Sequence, residues 1–306
     1  MKKKPTLILA TITFFTFFQA HAQQTGKVTP SGIGYYEYLP DGYRSNTNRY
    51  PVVISLHGYK EKGTSSRDPQ QVLRDLPRVA NISLPKYVKN GTKYPFILIS
   101  PQLKSQYGAW PPSYIIEVLN HVKKTLRVDD RRIYLTGLSL GGLGVWKTAG
   151  QYPDVFAAIV PICAGGNALD KASAIAREDV AVWAFHGGSD HIVSHTVTTR
   201  MVSAINSAPE KPDPLAKVTI FPNMAHIISD KAYDETNVLK WLLTIRKGSG
   251  GSTQHSENRH PVANAGSDKT ITLPTNSLSV EGKASDGDGE IVSFNWTKRS
   301  GGTATL

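Results

Sequence analysis

Ser139 stands at the centre of Gly137-Leu138-Ser139-Leu140-Gly141, and two residues far downstream, Asp190 and His226, complete a set that would make its hydroxyl nucleophilic. A serine alone attacks poorly. It becomes reactive when an imidazole takes its proton and a carboxylate holds that imidazole in one tautomer and stabilises the imidazolium that forms. Asp190, closing His186-Gly187-Gly188-Ser189-Asp190, is the candidate acid; His226, closing Pro222-Asn223-Met224-Ala225-His226, is the candidate base. His191 and His195 are rival bases, but both fall just past the acid and before the last strand-like run. Charge developing on an attacked carbonyl oxygen needs two backbone N–H groups aimed at it. Leu140, the residue after the nucleophile, is expected to supply one. Tyr59, in His57-Gly58-Tyr59-Lys60-Glu61-Lys62-Gly63, is expected to supply the other, with Gly58 allowing the backbone to approach closely. Gln102 and Trp110 are expected to line the substrate cleft.

These residues work together only if regular elements deliver them to one place. Arg132-Ile133-Tyr134-Leu135-Thr136 reads as a buried strand, and the segment from Gly142 to Tyr152 carries Leu143, Trp146 and Ala149 at helical spacing. The serine therefore sits on a strand–turn–helix corner, where a side chain at Gly137 or Gly141 would crowd the neighbouring backbone. Further strand-length apolar runs begin near residues 51, 95, 157, 180 and 217, alternating with helical stretches such as Ser113 to Leu126. That alternation predicts an α/β class: a mainly parallel sheet with helices on both faces and its active loops at the carboxyl ends of the strands. His57 and His186 end strands themselves and are read as holding loops through hydrogen bonds to backbone.

Together, LHGYKEKG, the long segment from Pro111 to Gly166, FHGGSD and the terminal Ala225-His226 resemble the secreted carboxylesterases of the α/β-hydrolase superfamily. More narrowly they resemble the group holding polyhydroxybutyrate-depolymerase-like, feruloyl-esterase-like and "predicted peptidase" members. The resemblance covers residues 26 to 246. It implies Ser139 as nucleophile, Asp190 as acid, His226 as base and Tyr59 and Leu140 as oxyanion donors. Many relatives carry a second glycine in the loop HG-x-G-E-[RK]-G, where Lys60 stands here.

Residues 1–22 read as a secretory signal: Lys2, Lys3 and Lys4, then the apolar centre Leu7 to Phe18, then Ala20-His21-Ala22 as a cleavage site. The apolar centre is shorter than the ~20 residues of a membrane span, so export without a stable membrane anchor is expected. The catalytic domain is placed at 23–246 and a flexible linker, rich in Gly and Ser, at 247–258. Residues 259–306 resemble the start of a PKD-like immunoglobulin-type β-sandwich, with strands expected at Thr270–Leu273, Ser277–Val280 and Ile291–Trp296 and with Trp296 in the core. Such sandwiches run to ~100 residues, so only part of one is expected here. Asp286-Gly287-Asp288-Gly289-Glu290 reads as a polar turn rather than a calcium loop.

The formal net charge is +11, but its lysines and arginines are scattered, which argues against a nucleic-acid partner. Cys163 is the single cysteine and reads as a small buried thiol. No metal-ligand spacing appears, and no cofactor is expected. The stretch from Asn167 to Asp179 is too short for a lid, which suggests an open site for a bulky or polymeric substrate. The function expected is ester hydrolysis, with acetyl or feruloyl esters of polysaccharides as the substrate class. A polyhydroxyalkanoate depolymerase, a serine peptidase and a non-catalytic carbohydrate-binding or adhesion module are the alternatives.

Overall fold

The computed structural model describes residues 24–248 and, beyond them, 262–264, 266, 269–270, 272, 274–275, 277–279 and 281–285. The chain divides into two units, residues 1–251 and 252–306.

The first unit is built on one sheet. Its strands are β1 (Thr25–Val28), β2 (Gly34–Tyr38), β3 (Tyr50–Leu56), β4 (Ile97–Pro101), β5 (Val128–Leu138), β6 (Ala158–Ile162), β7 (Ala181–Gly187) and β8 (Lys217–Phe221). Their spatial order is β1-β2-β4-β3-β5-β6-β7-β8. β1 and β2 pair antiparallel at one edge, β2 pairs antiparallel with β4, and the remaining pairs are parallel. The helices are α1 (Pro69–Asp75), α2 (Ser83–Lys89), α3 (Pro112–Thr125), α4 (Leu140–Gln151), α5 (Ala172–Arg177), α6 (Thr196–Asn206), α7 (Ser229–Asp234) and α8 (Val238–Thr244).

Strands buried on both faces read as continuous apolar runs, because successive side chains point to opposite sides. β3 shows this: Val52, Ile54 and Leu56 pack with α3 and α4, while Val53 joins the cluster containing Leu84 of α2 and Leu242 of α8. β5 does the same, with Ile133 and Leu135 on one face and Tyr134 and Leu138 on the other. The central strand is longer than its apolar run suggests, since Val128 at its start pairs with Tyr50 across a bulge.

The chain leaves β3 for β4 on one side and returns to β5 on the other. The carboxyl ends of β3 and β5 therefore border the point where the winding direction changes, the crevice where open α/β sheets bind ligands. Among the described residues no helix is long and apolar enough to cross a membrane.

In the second unit, β9 (Val262–Asn264) pairs antiparallel with β10 (Lys283–Ser285). The described residues of the two strands expected at 270–273 and 277–280 lie outside any strand. The Thr275 amide donates to the Thr272 carbonyl at 3.1 Å, a turn that takes up groups a ladder would need. The signal at 1–22, the expected strand at 291–296 with Trp296, and the turn at 286–290 lie outside the described residues.

Candidate active site

Ser139 separates β5 from α4 with φ 59° and ψ −114°, a backbone conformation that L-residues rarely hold. The surrounding glycines make it attainable. A Cβ at Gly141 would sit 2.3 Å from the Leu56 carbonyl oxygen, and one at Gly137 would sit 2.7 Å from the Gly141 carbonyl oxygen. The Ser139 amide is itself used, donating to Ile162 O at 2.8 Å on the adjacent strand.

Three loops meet at this corner. His226 Nε2 lies 2.8 Å from Ser139 Oγ, and His226 Nδ1 lies 2.6 Å from Asp190 Oδ2. Because Nδ1 faces a carboxylate, it carries the proton, which leaves Nε2 to accept from the serine hydroxyl. The acid and base loops are close-packed: a Cβ at Gly187 would fall 2.1 Å from Ala225 O, and one at Gly188 would fall 2.6 Å from Pro222 O. Asp190 is buried, and its other oxygen, Oδ1, accepts from the amides of Ile192 at 2.8 Å and Val193 at 3.0 Å. Burial opposes the charge on Asp190. The Val193 amide, His226 and the Ile192 amide outweigh it and hold the carboxyl below its ordinary range.

His186 also reaches Asp190 Oδ2, at 3.1 Å, while its Nδ1 meets Thr198 Oγ1 at 2.7 Å. Burial lowers its pKa and keeps the ring neutral. Cys163 is buried, with its sulfur, an Asp190 carboxylate oxygen and a His226 ring nitrogen all within 4.8 Å of one another. Burial pushes this thiol up to about 12, so it stays protonated beside the carboxylate.

The loop after β3 runs past the serine, since a Cβ at Gly58 would lie 3.8 Å from Ser139 Cβ. His57 fixes that loop. Its Nδ1–H donates to Gly58 O at 2.6 Å, and Nε2 accepts from the Leu103 amide at 2.9 Å. Among the described residues, the amides of Tyr59 and Leu140 have no hydrogen-bond acceptor. His191 and His195, the rival bases, follow Asp190 on its own loop, and the imidazole hydrogen-bonded to Ser139 Oγ is that of His226.

Gln102 and Trp110 do not line a cleft. Gln102 is 4 % exposed, and its amide donates to the carbonyls of Glu61 and Asp75. Trp110 is 1 % exposed, its Nε1–H donates to His57 O at 3.2 Å, and its ring lies edge-on to His57. Both side chains are spent on holding the β3 loop. The large apolar side chains that reach solvent beside the catalytic loops include Tyr59, Ile192 and Ile227, at 64 %, 75 % and 62 % exposure. Lys62 covers the Tyr59 ring, 4.2 Å from its centroid.

The Esterase family model matches residues 27–207, and a K319L-like PKD-domain model matches residues 265–306. A bifunctional acetylxylan esterase/xylanase of Neocallimastix patriciarum is 21% identical over 178 residues, covering 54% of this chain and 22% of that protein. Poly(3-hydroxyalkanoate) depolymerase C of Paucimonas lemoignei is 25% identical over 137 residues, 44% of this chain and 32% of the depolymerase. Feruloyl esterase B of Thermothelomyces thermophilus is 28% identical over 143 residues, 42% of this chain and 43% of the esterase. The matches thus span less than half the length of each of these relatives. Among solved structures, a thermostable esterase superposes with a TM-score of 0.54 at 22% identity, over 73% of this chain and 63% of that one. The feruloyl esterase module of Clostridium thermocellum gives 0.51 at 18% identity, over 69% and 85%. These likenesses establish the shared α/β-hydrolase fold.

Proposed function

Because the chain belongs to the Esterase family, we propose that it hydrolyses carboxylic esters through an acyl-enzyme on Ser139. The observation that carries this reading is the continuous pair of contacts from Ser139 Oγ to His226 Nε2, 2.8 Å, and from His226 Nδ1 to Asp190, 2.6 Å. In the first step Ser139 Oγ bonds to the ester carbon while its proton passes to His226 Nε2. The carbonyl oxygen, now an anion, is held by the amides of Tyr59 and Leu140. The bond to the alcohol then breaks, and His226 returns the proton to that leaving oxygen. Water repeats the sequence on the acyl-enzyme, releasing the acid and restoring Ser139. Asp190 stays ionised throughout and stabilises the imidazolium.

The substrate class we assign is the acyl ester of a polysaccharide, acetyl or feruloyl, on the strength of the acetylxylan and feruloyl esterases among its relatives. Residues 1–22 act as an export signal in this reading, with the catalytic domain at 23–246, a linker at 247–258 and a partial PKD-like domain at 259–306. A second reading, a polyester depolymerase, is favoured by the Paucimonas relative and by the apolar Tyr59, Ile192 and Ile227 around the catalytic loops. A clearing zone on a polyhydroxybutyrate plate separates the two.

The test is hydrolysis of p-nitrophenyl acetate by the full chain beside Ser139→Ala. Turnover in the parent alone supports the reading. Equal rates in both, or none in either, would refute it.

A further inference from the structure

The loop from His57 to Gly63 carries the Tyr59 amide, and most of its carbonyls are taken by named donors. Trp110 Nε1–H donates to His57 O at 3.2 Å, His57 Nδ1–H to Gly58 O at 2.6 Å, Gln102 Nε2 to Glu61 O at 2.8 Å and Arg78 to Lys62 O at 3.0 Å. The amides are different. Among the described residues no carbonyl accepts from the N–H groups of Gly58, Tyr59, Lys60, Glu61 or Lys62. A trans peptide points its N–H away from its C=O. The bond from Trp110 therefore turns the Gly58 N–H to the opposite side of the chain, and the bond from His57 does the same for the Tyr59 N–H.

The Glu61 side chain reaches back toward these amides. Its Oε2 lies 3.9 Å from His57 Nδ1, and so close to Gly58 that a Cβ there would be 3.3 Å away. The same Cβ would be 3.8 Å from Ser139 Cβ, so Gly58 is packed between this carboxylate and the nucleophile. The Glu61 side chain is only 16 % exposed. Burial raises its carboxyl, while the amides of Glu61 and Gly58, and then Lys60, favour the charged form. A carboxylate removed from water needs N–H donors facing it, and here the donors belong to its own loop.

We propose that Glu61 is a positioning residue for hydrolysis: its carboxylate holds the Gly58 amide, so that the next amide, that of Tyr59, stays aimed at the oxyanion. Glu61 itself touches no reacting atom. A donor fixed in advance costs no reorganisation as charge develops, whereas a loop free to turn would have to be aligned in every turnover. The effect on turnover rests on the ester-hydrolase reading, but the hold on the Gly58 amide is observable without substrate.

The experiment compares Glu61→Ala and Glu61→Gln with the parent, each as the full chain, on p-nitrophenyl acetate. Glu61→Ala is expected to lower kcat at least ~10-fold with KM little changed, part of the ~10²–10³-fold that loss of one oxyanion donor costs. Glu61→Gln, whose amide oxygen still accepts from an N–H, should recover most of that loss. Amide NMR of the isotope-labelled chain reads the loop directly: the Gly58 resonance should move as acid protonates Glu61 and stay in place in Glu61→Gln. An unchanged kcat in Glu61→Ala, a loss confined to KM, a Gln variant as slow as the Ala variant, or a Gly58 resonance indifferent to Glu61 would each overturn the proposal. Thermal unfolding checks that both variants fold; if Glu61→Ala does not, the near-isosteric Gln variant and the Gly58 resonance decide. An inactive parent sinks the hydrolase reading, and the same resonance still decides whether Glu61 holds the loop.

Discussion

His186 and His226 share one oxygen of Asp190, Oδ2, which accepts from His226 Nδ1 at 2.6 Å and from His186 Nε2 at 3.1 Å. His186 Nε2 also lies 3.0 Å from Val193 O, so both of its neighbours are acceptors and Nε2 carries the proton. Thr198 then donates to Nδ1, tying α6 to the acid loop. Removing this ring leaves Asp190 charged, buried and short of one donor. His186→Leu is expected to lower kcat about 10-fold with little change in KM, matching roughly 1.4 kcal/mol for one lost hydrogen bond to a charged group. His186→Gln, whose amide can donate to the same oxygen, should recover part of it. An unchanged kcat in His186→Leu would count against the role.

Acid should weaken the fold before it touches the carboxylates. Burial drives the His57 pKa from 6.5 to about 4, so the folded ring stays neutral while the unfolded one gains a proton. Between those two values the unfolded state binds more protons, and stability therefore falls as pH falls. The full effect is on the order of 3 kcal/mol. His186, also lowered by burial, acts in the same direction. The contribution of Asp190, whose carboxyl is held low in the fold, is present above the unfolded carboxyl value and is lost as pH drops through the folded one. Urea midpoints between pH 7 and 4.5 should decline steadily in the parent and less steeply in His57→Gln. Identical slopes would show that His57 is not the group responsible.

The tight corner around the serine predicts a sharp contrast between two glycines. A Cβ at Gly141 would meet backbone oxygens of Leu56 and His57 at 2.3 and 2.7 Å, whereas one at Gly108 meets nothing within 4 Å. Gly141→Ala is expected to cost about 3 kcal/mol or to prevent folding, since the obstacle is backbone and cannot rotate away. Gly108→Ala should be neutral or stabilise by up to about 1 kcal/mol, by restricting the unfolded chain. Chemical denaturation of both variants measures the difference.

Trp110 supports a loop rather than a ligand, and this too is measurable. Trp110→Phe removes the bond to His57 O and part of the contact with His57 and Tyr114. A loss of about 1–2 kcal/mol is expected, seen as a lower Tm, with KM for p-nitrophenyl acetate unchanged. A raised KM at unchanged Tm would restore a substrate-lining role.

Much of this was legible because strands buried on both faces write themselves as apolar runs: β3 opens within one residue of the run expected near 51, and α3 lies within one residue of its predicted bounds. The antiparallel strands β1 and β2 left no such mark. β1 alternates between half-buried and exposed, and β2 opens on Gly34, so neither offers a continuous apolar stretch. Ser139, Asp190 and His226 could be placed because chain order and strand ends constrain them. Gln102 and Trp110 were misplaced because sequence does not say whether a residue after a strand faces outward or turns under the neighbouring loop. The contact of His186 with Asp190 was missed for a related reason: the ring is expected to hold its loop through backbone, while its pairing with the carboxylate depends on how Thr198 of α6 approaches from outside that segment.

The central claim is that Ser139 is the residue that becomes acylated. Incubation of the full chain with a fluorophosphonate, followed by peptide mass spectrometry, tests it directly, because such reagents bond covalently to activated serines and have little reaction with ordinary ones. A single adduct on the peptide carrying Ser139, suppressed in His226→Ala, is the predicted result. An adduct elsewhere, or labelling of Ser139 undiminished without His226, would contradict the account.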